Sequence, residues 1–307
     1  MNLLQTINWA NTFIQYAPLT NGLGMEPAVS IATMIRNSIL NPPLTWLFNR
    51  NQTTFVTSAG QQDYPVTLAD FGFLETASLT DGSNPPNTTQ VKDVYNNEAL
   101  AVSSFQQKPS AISVQSINGT GQIVFRFIGV PDQAYTVTIV YQKRAANFGP
   151  FVISSVANAV ASNTTYTGIF DPYSFPTGAL ATITGFANSV NNGTFVVVSC
   201  SATSLVVANA SGVTETKTAY VSNLDWGPLP DWFRDVYNNL FLAESMSMVD
   251  DARSQVYRQR GVAAFLAKAD GLSEMQKNIF AQQWLQDVSG AAFHQARAAQ
   301  GSQLRAV

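Results

Sequence analysis

Charge is what this chain has least of. Only 11% of its 307 residues are Asp, Glu, Lys or Arg, against roughly 25% in an ordinary soluble domain. Ionised side chains keep a free surface soluble and apart from its neighbours. A chain short of them covers itself with Ser, Thr, Asn and Gln, or with partners, and interface cores are depleted in Lys, Glu and Asp. The shortage points to extensive partner surface; plain uncharged polar β-faces are the other reading. A net charge of −3 supplies no bulk attraction for nucleic acid.

Histidine and cysteine are nearly missing, with one of each, His294 and Cys200. A single cysteine excludes an internal disulfide. A Ser-His-Asp or Cys-His arrangement would have to use His294, which stands in an Ala- and Gln-rich tail and reads as a plain polar residue. Metal sites built on His and Cys are starved in the same way. Cys200 reads as a small buried residue of a strand. No cofactor is expected. No apolar run reaches the about 20 residues of a membrane span, and Met1 to Ala10 has no basic segment ahead of its apolar residues. The expected setting is therefore a reducing cytosol, without a membrane partner. Gly22-Leu23-Gly24 follows no strand and is not a phosphate loop.

Paired carboxylates would suffice for glycoside hydrolysis. Asp70 with Glu75 and Asp93 with Glu98 are the candidates, but no spacing marks them, and surface roles explain them. Asp250-Asp251 reads as a helix start, where acids match the dipole. The densest basic groups are Lys143-Arg144, Arg258 with Arg260, and Arg297 with Arg305. Tyr166, Phe170 and Tyr173 could meet a glycan or a neighbour, although packing on their own sheet is the simpler reading. No catalytic, cofactor-binding or metal residue is assigned, and no enzyme is expected.

The patterns that are present divide the chain. Leu3, Leu4, Ile7, Ala10 and Ile14 recur at helical steps, as do Ile31, Met34, Ile35, Ser38 and Ile39, before Asn41-Pro42-Pro43 ends the helix. Residues 1–50 therefore read as helices. Residues 51–148 read as an antiparallel β-domain, with runs at Thr53–Thr57, Phe73–Leu79, Ala111–Val114, Ile123–Ile128 and Tyr135–Tyr141. Gly129 to Gln133 resembles a hairpin connection between the last two. Residues 149–222 hold three of the chain's 35 charges. They read as an inserted small sandwich or barrel, in which Asn191-Asn192-Gly193 signals a tight hairpin. Residues 223–290 return to helix. Their apolar members are Trp232, Phe233, Val236, Tyr237, Leu240 and Phe241, then Val256, Tyr257, Phe265 and Leu266, then Met275, Ile279, Phe280, Trp284 and Val288. Ser273 and Gln276 have capping-box spacing. Residues 291–307 form a tail.

This order of units resembles the head-to-tail adaptors of tailed bacteriophages, the tail tubular protein A-like connector family. The resemblance is carried by Phe55-Val56-Thr57-Ser58-Ala59-Gly60-Gln61-Gln62-Asp63-Tyr64, by Asp70 to Glu75, by Phe125 to Tyr141, and by Leu229-Pro230-Asp231-Trp232-Phe233 through Trp284-Leu285. It covers roughly residues 53–148 and 229–285; the inserted unit departs from it and resembles appended Ig-like β-sandwich modules. The fold it implies is α+β, with a bundle of N- and C-terminal helices, an antiparallel β-domain and the inserted module. The function it implies is structural: a ring, commonly of twelve copies, that joins the portal protein to the tail nozzle or tube, meets fibre proteins, and lets the genomic DNA pass without sequence reading. Such a subunit is assembled in the host cytoplasm and resides in the neck of the virion. The tail would dock on the portal, through Phe293, His294, Arg297, Gln300, Leu304 and Arg305. Arg258 and Arg260 would line the channel, repeated by the ring. The rival expectation is a receptor-binding or tail fibre protein with glycan-binding β-modules, which the amphipathic C-terminal helices disfavour.

Overall fold

The computed structural model describes residues 2–14, 19–20, 23–83, 85–93, 105–117 and 122–285. The protein is α+β, and the chain divides into two compact units, Met1–Leu44 with Ala145–Val307, and Thr45–Arg144.

The second unit is a curled seven-stranded sheet of β1 (Arg50–Val56), β2 (Asp63–Val66), β3 (Phe71–Thr80), β4 (Thr88–Asp93), β5 (Ala111–Ile117), β6 (Ile123–Ile128) and β7 (Thr136–Lys143). Alternation sets which side chains turn inward: Ile123, Phe125 and Phe127 of β6, and Val137, Ile139 and Tyr141 of β7, are buried. The strand order is β1-β7-β3-β4-β5-β6-β2. The hairpin expected across Gly129 to Gln133 does not form, because β6 pairs with β5 and β2 while β7 pairs with β1 and β3. Alternation identifies the face of a strand, not its neighbour. The sheet is also not wholly antiparallel: β4 and β5 run parallel, with Lys92 opposite Ala111, and the stretch joining them is long enough for the return that parallel pairing needs. Curling brings strands from both ends onto one core. Phe55 of β1 lies 5.6 Å from Tyr64 of β2 and 6.0 Å from Phe125 of β6.

In the first unit, β8 (Phe151–Val156), β9 (Thr164–Gly168), β10 (Leu180–Thr184), β11 (Gly193–Cys200), β12 (Ser204–Val207) and β13 (Glu215–Asn223) close into a barrel in the order β10-β11-β12-β9-β8-β13. Of the sandwich or barrel that the strand spacing allows, the barrel is the one formed, which corrects the Ig-like β-sandwich that the resemblance implies. Small inward residues, Ala181 and Ala219, stand among Ile153, Ile183, Val197, Leu205 and Val221, so six strands can surround a single core, and closure leaves no free edge. The tight Asn-Gly hairpin is also absent. β10 ends at Thr184 and β11 begins at Gly193, with a 3-10 turn at Ser189–Asn191 between them. Asn192 instead uses its side chain, accepting from the Phe186 amide (3.0 Å) and donating to the Phe186 carbonyl (2.9 Å).

The helices of this unit are α1 (Leu3–Asn11), α2 (Ala28–Leu40), α3 (Arg234–Ser247), α4 (Ser254–Lys268) and α5 (274–285). Asn2 and Gln5 cap α1 reciprocally. Ser273 and Gln276 do the same for α5, as their spacing predicts. α3 touches α1, α2 and α4. Its buried members Val236, Tyr237, Leu240, Phe241, Leu242, Ala243 and Met246 cover most of its circumference. Asp250-Asp251 does not start a helix. Asp250 sits in the preceding turn at φ 53, and Asp251 is bound by Arg253 at 2.6 Å.

Arg36 of α2 fastens the barrel to the helices. Its side chain is fully buried. The guanidinium carbon stands 3.6 Å over the Phe148 ring, on the segment leading into β8. Its Nη1 donates to the carbonyls of Asp225 (3.0 Å) and Gly227 (3.5 Å), on the segment leaving β13. Nε and Nη2 meet no acceptor among the described residues. Burial pushes the group down to about 9, against the pull of the Asp225 carboxylate.

Candidate interaction surface

The helical stripes are wider than the core they face. Met34, Trp232, Val256, Leu266, Met275 and Ile279 belong to the apolar periodicities of α2 to α5 and the turn before α3. All six are exposed, Met275 at 67%, Trp232 at 50% and Met34 at 44%. Their periodic partners Ile35, Phe233, Phe265, Phe280 and Trp284 are buried. Phe265 and Phe280 stack at 3.5 Å between ring centroids, which seats α5 against α4. The Trp284 indole donates to the Ser38 hydroxyl at 3.2 Å, which seats α5 against α2. Single exposed apolar residues are ordinary; here they recur on successive helices. Met248 (58%) and Val249 (37%) are exposed as well, at the turn after α3.

Two hollows are lined by residues of the helices and the turns beside them. One, of about 420 Å³, is lined by Met34, Asn41, Pro42, Ile279, Phe280 and Gln283. The other, of about 450 Å³, is lined by Gln5, Trp9, Asp231 and Arg234. Trp9 continues into an aromatic row, 5.1 Å from Phe13, which is 6.1 Å from Tyr257.

The residues expected to line a channel occupy different environments. Arg258 is mostly covered and donates to Glu244 of α3 at 2.7 Å, so its charge is partnered within the chain. Arg260 is exposed and lies 5.2 Å over the Tyr257 ring. Residues two apart on a helix do not face the same way. Phe293, His294, Arg297, Gln300, Leu304 and Arg305 lie outside the described residues.

Asp70 and Glu75 are each engaged by other side chains. Asp70 accepts from the Tyr141 hydroxyl (2.8 Å) and Asn51 (2.9 Å). Glu75 accepts from Arg50 and from Gln142 (2.8 Å). Glu98 lies outside the described residues. Tyr166 and Phe170 are buried in the barrel, and the Tyr166 hydroxyl donates to the Asn191 carbonyl at 3.0 Å. Cys200 is half-buried rather than enclosed, and burial raises its thiol to about 11, which keeps it protonated and unreactive. Among the described residues no group of His, Cys, Asp and Glu could hold a metal ion, and no helix is long and apolar enough to cross a membrane.

Two features escape a reading of the sequence. Arg36 carries no motif; its only signal is a cation placed beside Ile35 and four residues from Ala32 and Leu40 in a helix otherwise uncharged. The exposure of some members of the stripes of α2 to α5 and of the turn before α3 has one signal, the shortage of charge. No protein-family model matches the chain, and no curated protein matches it by sequence.

Proposed function

We propose that this chain is a structural subunit of a tailed-bacteriophage particle, a head-to-tail adaptor that assembles into a ring between portal and tail. The observation that supports it most is the exposed apolar remainder of the helical stripes in a chain with few charges to keep that surface apart from others. Surfaces of that kind belong to obligate assemblies, whose interfaces are large and apolar. In this reading the helices around α3 act as a bundle and form the ring wall. The stretch 291–307 docks on the portal, and the sheet serves the tail side. Repetition around the ring multiplies each channel charge, and Arg260 is the better placed of the two arginines because Arg258 is already paired. DNA passes without base contacts, and the role is not enzymatic.

The fibre reading loses two of its three candidate aromatics, since Tyr166 and Phe170, unlike Tyr173, are core residues of the barrel. The test is the native mass of the purified full chain, alone and mixed with its portal. A closed ring of about twelve copies is expected. Three copies would favour the fibre reading, and a monomer under both conditions would refute the adaptor reading.

A further inference from the structure

We infer that neighbouring copies meet head to tail through the two ends of α3, the knob Met248-Val249-Asp250 of one copy seating against Trp9 and Arg234 of the next. This rests on the ring reading above and names the contact that would build it.

α3 has 14 residues, about 21 Å of helix. At its first residue stands Arg234, exposed, in the hollow shared with Gln5, Trp9 and Asp231. Arg234 has neither an ion pair nor a side-chain hydrogen bond among the described residues, whereas Asp231 is engaged within its own chain. Neighbouring Asp235 faces Lys268 at 3.6 Å. Arg234 is thus the uncommitted charge at this end. The positive end of the α3 dipole adds to it; against the Asp231 carboxylate of the same hollow, Arg234 is the group an incoming carboxylate would meet.

At the other end the turn presents Met248 and Val249, both exposed, followed by Asp250. The Asp250 side chain is exposed and has no partner among the described residues, while Asp251 beside it is held by Arg253. One end therefore offers an aromatic ring and a free cation, and the other a thioether and a free carboxylate. Thioether on indole and carboxylate on guanidinium are both favourable pairings. The two patches differ, so the contact is heterologous, and such contacts propagate round a ring rather than stopping at a dimer.

The experiment uses the full-length protein. Sedimentation is measured for the native chain, Arg234→Asp, Asp250→Arg and the double variant. In parallel a photo-reactive residue replaces Met248, and the cross-linked peptide is identified. Each single reversal is expected to weaken assembly about tenfold or more, because it sets like charges against each other. The double variant should recover to within about threefold, the coupling that a direct pair shows. The cross-link should fall on residues 2–11 or 231–234 of another copy. Native-like assembly of both single variants, with the cross-link elsewhere, would overturn the inference and leave the ring reading standing. A native chain that stays monomeric, even with portal, would overturn both. Should a reversal fail to fold, the cross-link decides alone.

Discussion

The seven-stranded sheet and the six-stranded barrel are both β-structures over an aromatic and aliphatic core, but they use their charges differently. The sheet is open, and its end strands β1 and β2 each have one flank without a partner strand. Each is fastened by an ion pair. Arg50 of β1 reaches across β7 to Glu75 of β3, with Nε and Oε2 2.9 Å apart. Asp63 of β2 holds Arg126, its cross-strand partner on β6, at 2.6 Å. Gln142 completes the first bridge, accepting from the Trp46 amide (3.1 Å) and donating to Glu75 (2.8 Å). The barrel has no ends to fasten. Its acid Glu215 serves backbone instead, accepting from the amides of Ala187 (2.7 Å) and Asn188 (3.1 Å) and from the Asn191 side chain (3.0 Å). An open sheet spends side chains on fixing its register, whereas a closed one fixes register by closure and needs so few charges that three suffice between residues 151 and 222.

The largest effect should come at the barrel root. Arg36→Ala removes the stack on Phe148 and the bonds to Asp225 and Gly227, and leaves a hole; about 3–5 kcal/mol of stability should be lost in urea unfolding. Arg36→Met keeps volume and deletes the buried charge with its unpartnered Nε and Nη2, so it should cost far less. Equal losses from the two variants would show that the charge, not the packing, holds the barrel on.

Next come matched core trims. Ile183→Val in the barrel and Ile139→Val in the sheet, both fully buried, should each cost about 1 kcal/mol. Their amide-exchange patterns should differ. The barrel variant should loosen all six strands together, and the sheet variant β1 and β2 first. Identical patterns would break the contrast between open and closed.

Smaller still is the fastening itself. Arg126→Met should cost about 0.5 kcal/mol, because the Asp63 carboxylate is 42% exposed and solvent screens the pair. Faster exchange confined to β2 would locate the effect at the sheet end.

The least is expected from Glu215, and only in acid. The amides of Ala187 and Asn188 hold its carboxyl below the usual glutamate range. A depressed folded value means that the stabilisation is present above the unfolded value and is lost as pH falls through the folded one. Loop 185–192 should therefore exchange faster as pH drops below the ordinary glutamate range. Glu215→Gln should exchange faster at neutral pH and respond little to acid. An acid response retained in that variant would assign it to another group.

Strand positions such as those of β6 and β7 were legible because alternation is local: these two fall within two residues of Ile123–Ile128 and Tyr135–Tyr141. Their pairing was not, because two alternating runs with a turn-like link satisfy a hairpin and a crossing equally. The Ser273/Gln276 cap was legible, since both partners sit within one turn. Asn192 misled, because its side chain serves a longer loop than Asn-Gly suggests. On the helices periodicity showed which direction is apolar, but not how much of it neighbours cover. Met34 and Trp232 therefore read as core and are half exposed.

Composition and local pattern alone determined where many of the helices and strands lie, that charge is scarce, and where it concentrates, because these depend on side chains within a turn or two of one another. Only the tertiary structure decided that six strands close on themselves, that Arg36 goes inside, and that Arg234 and Asp250 stay unpaired among the described residues, near opposite ends of one helix. Each of these is set by which distant segment arrives alongside, and no local spacing carries that information.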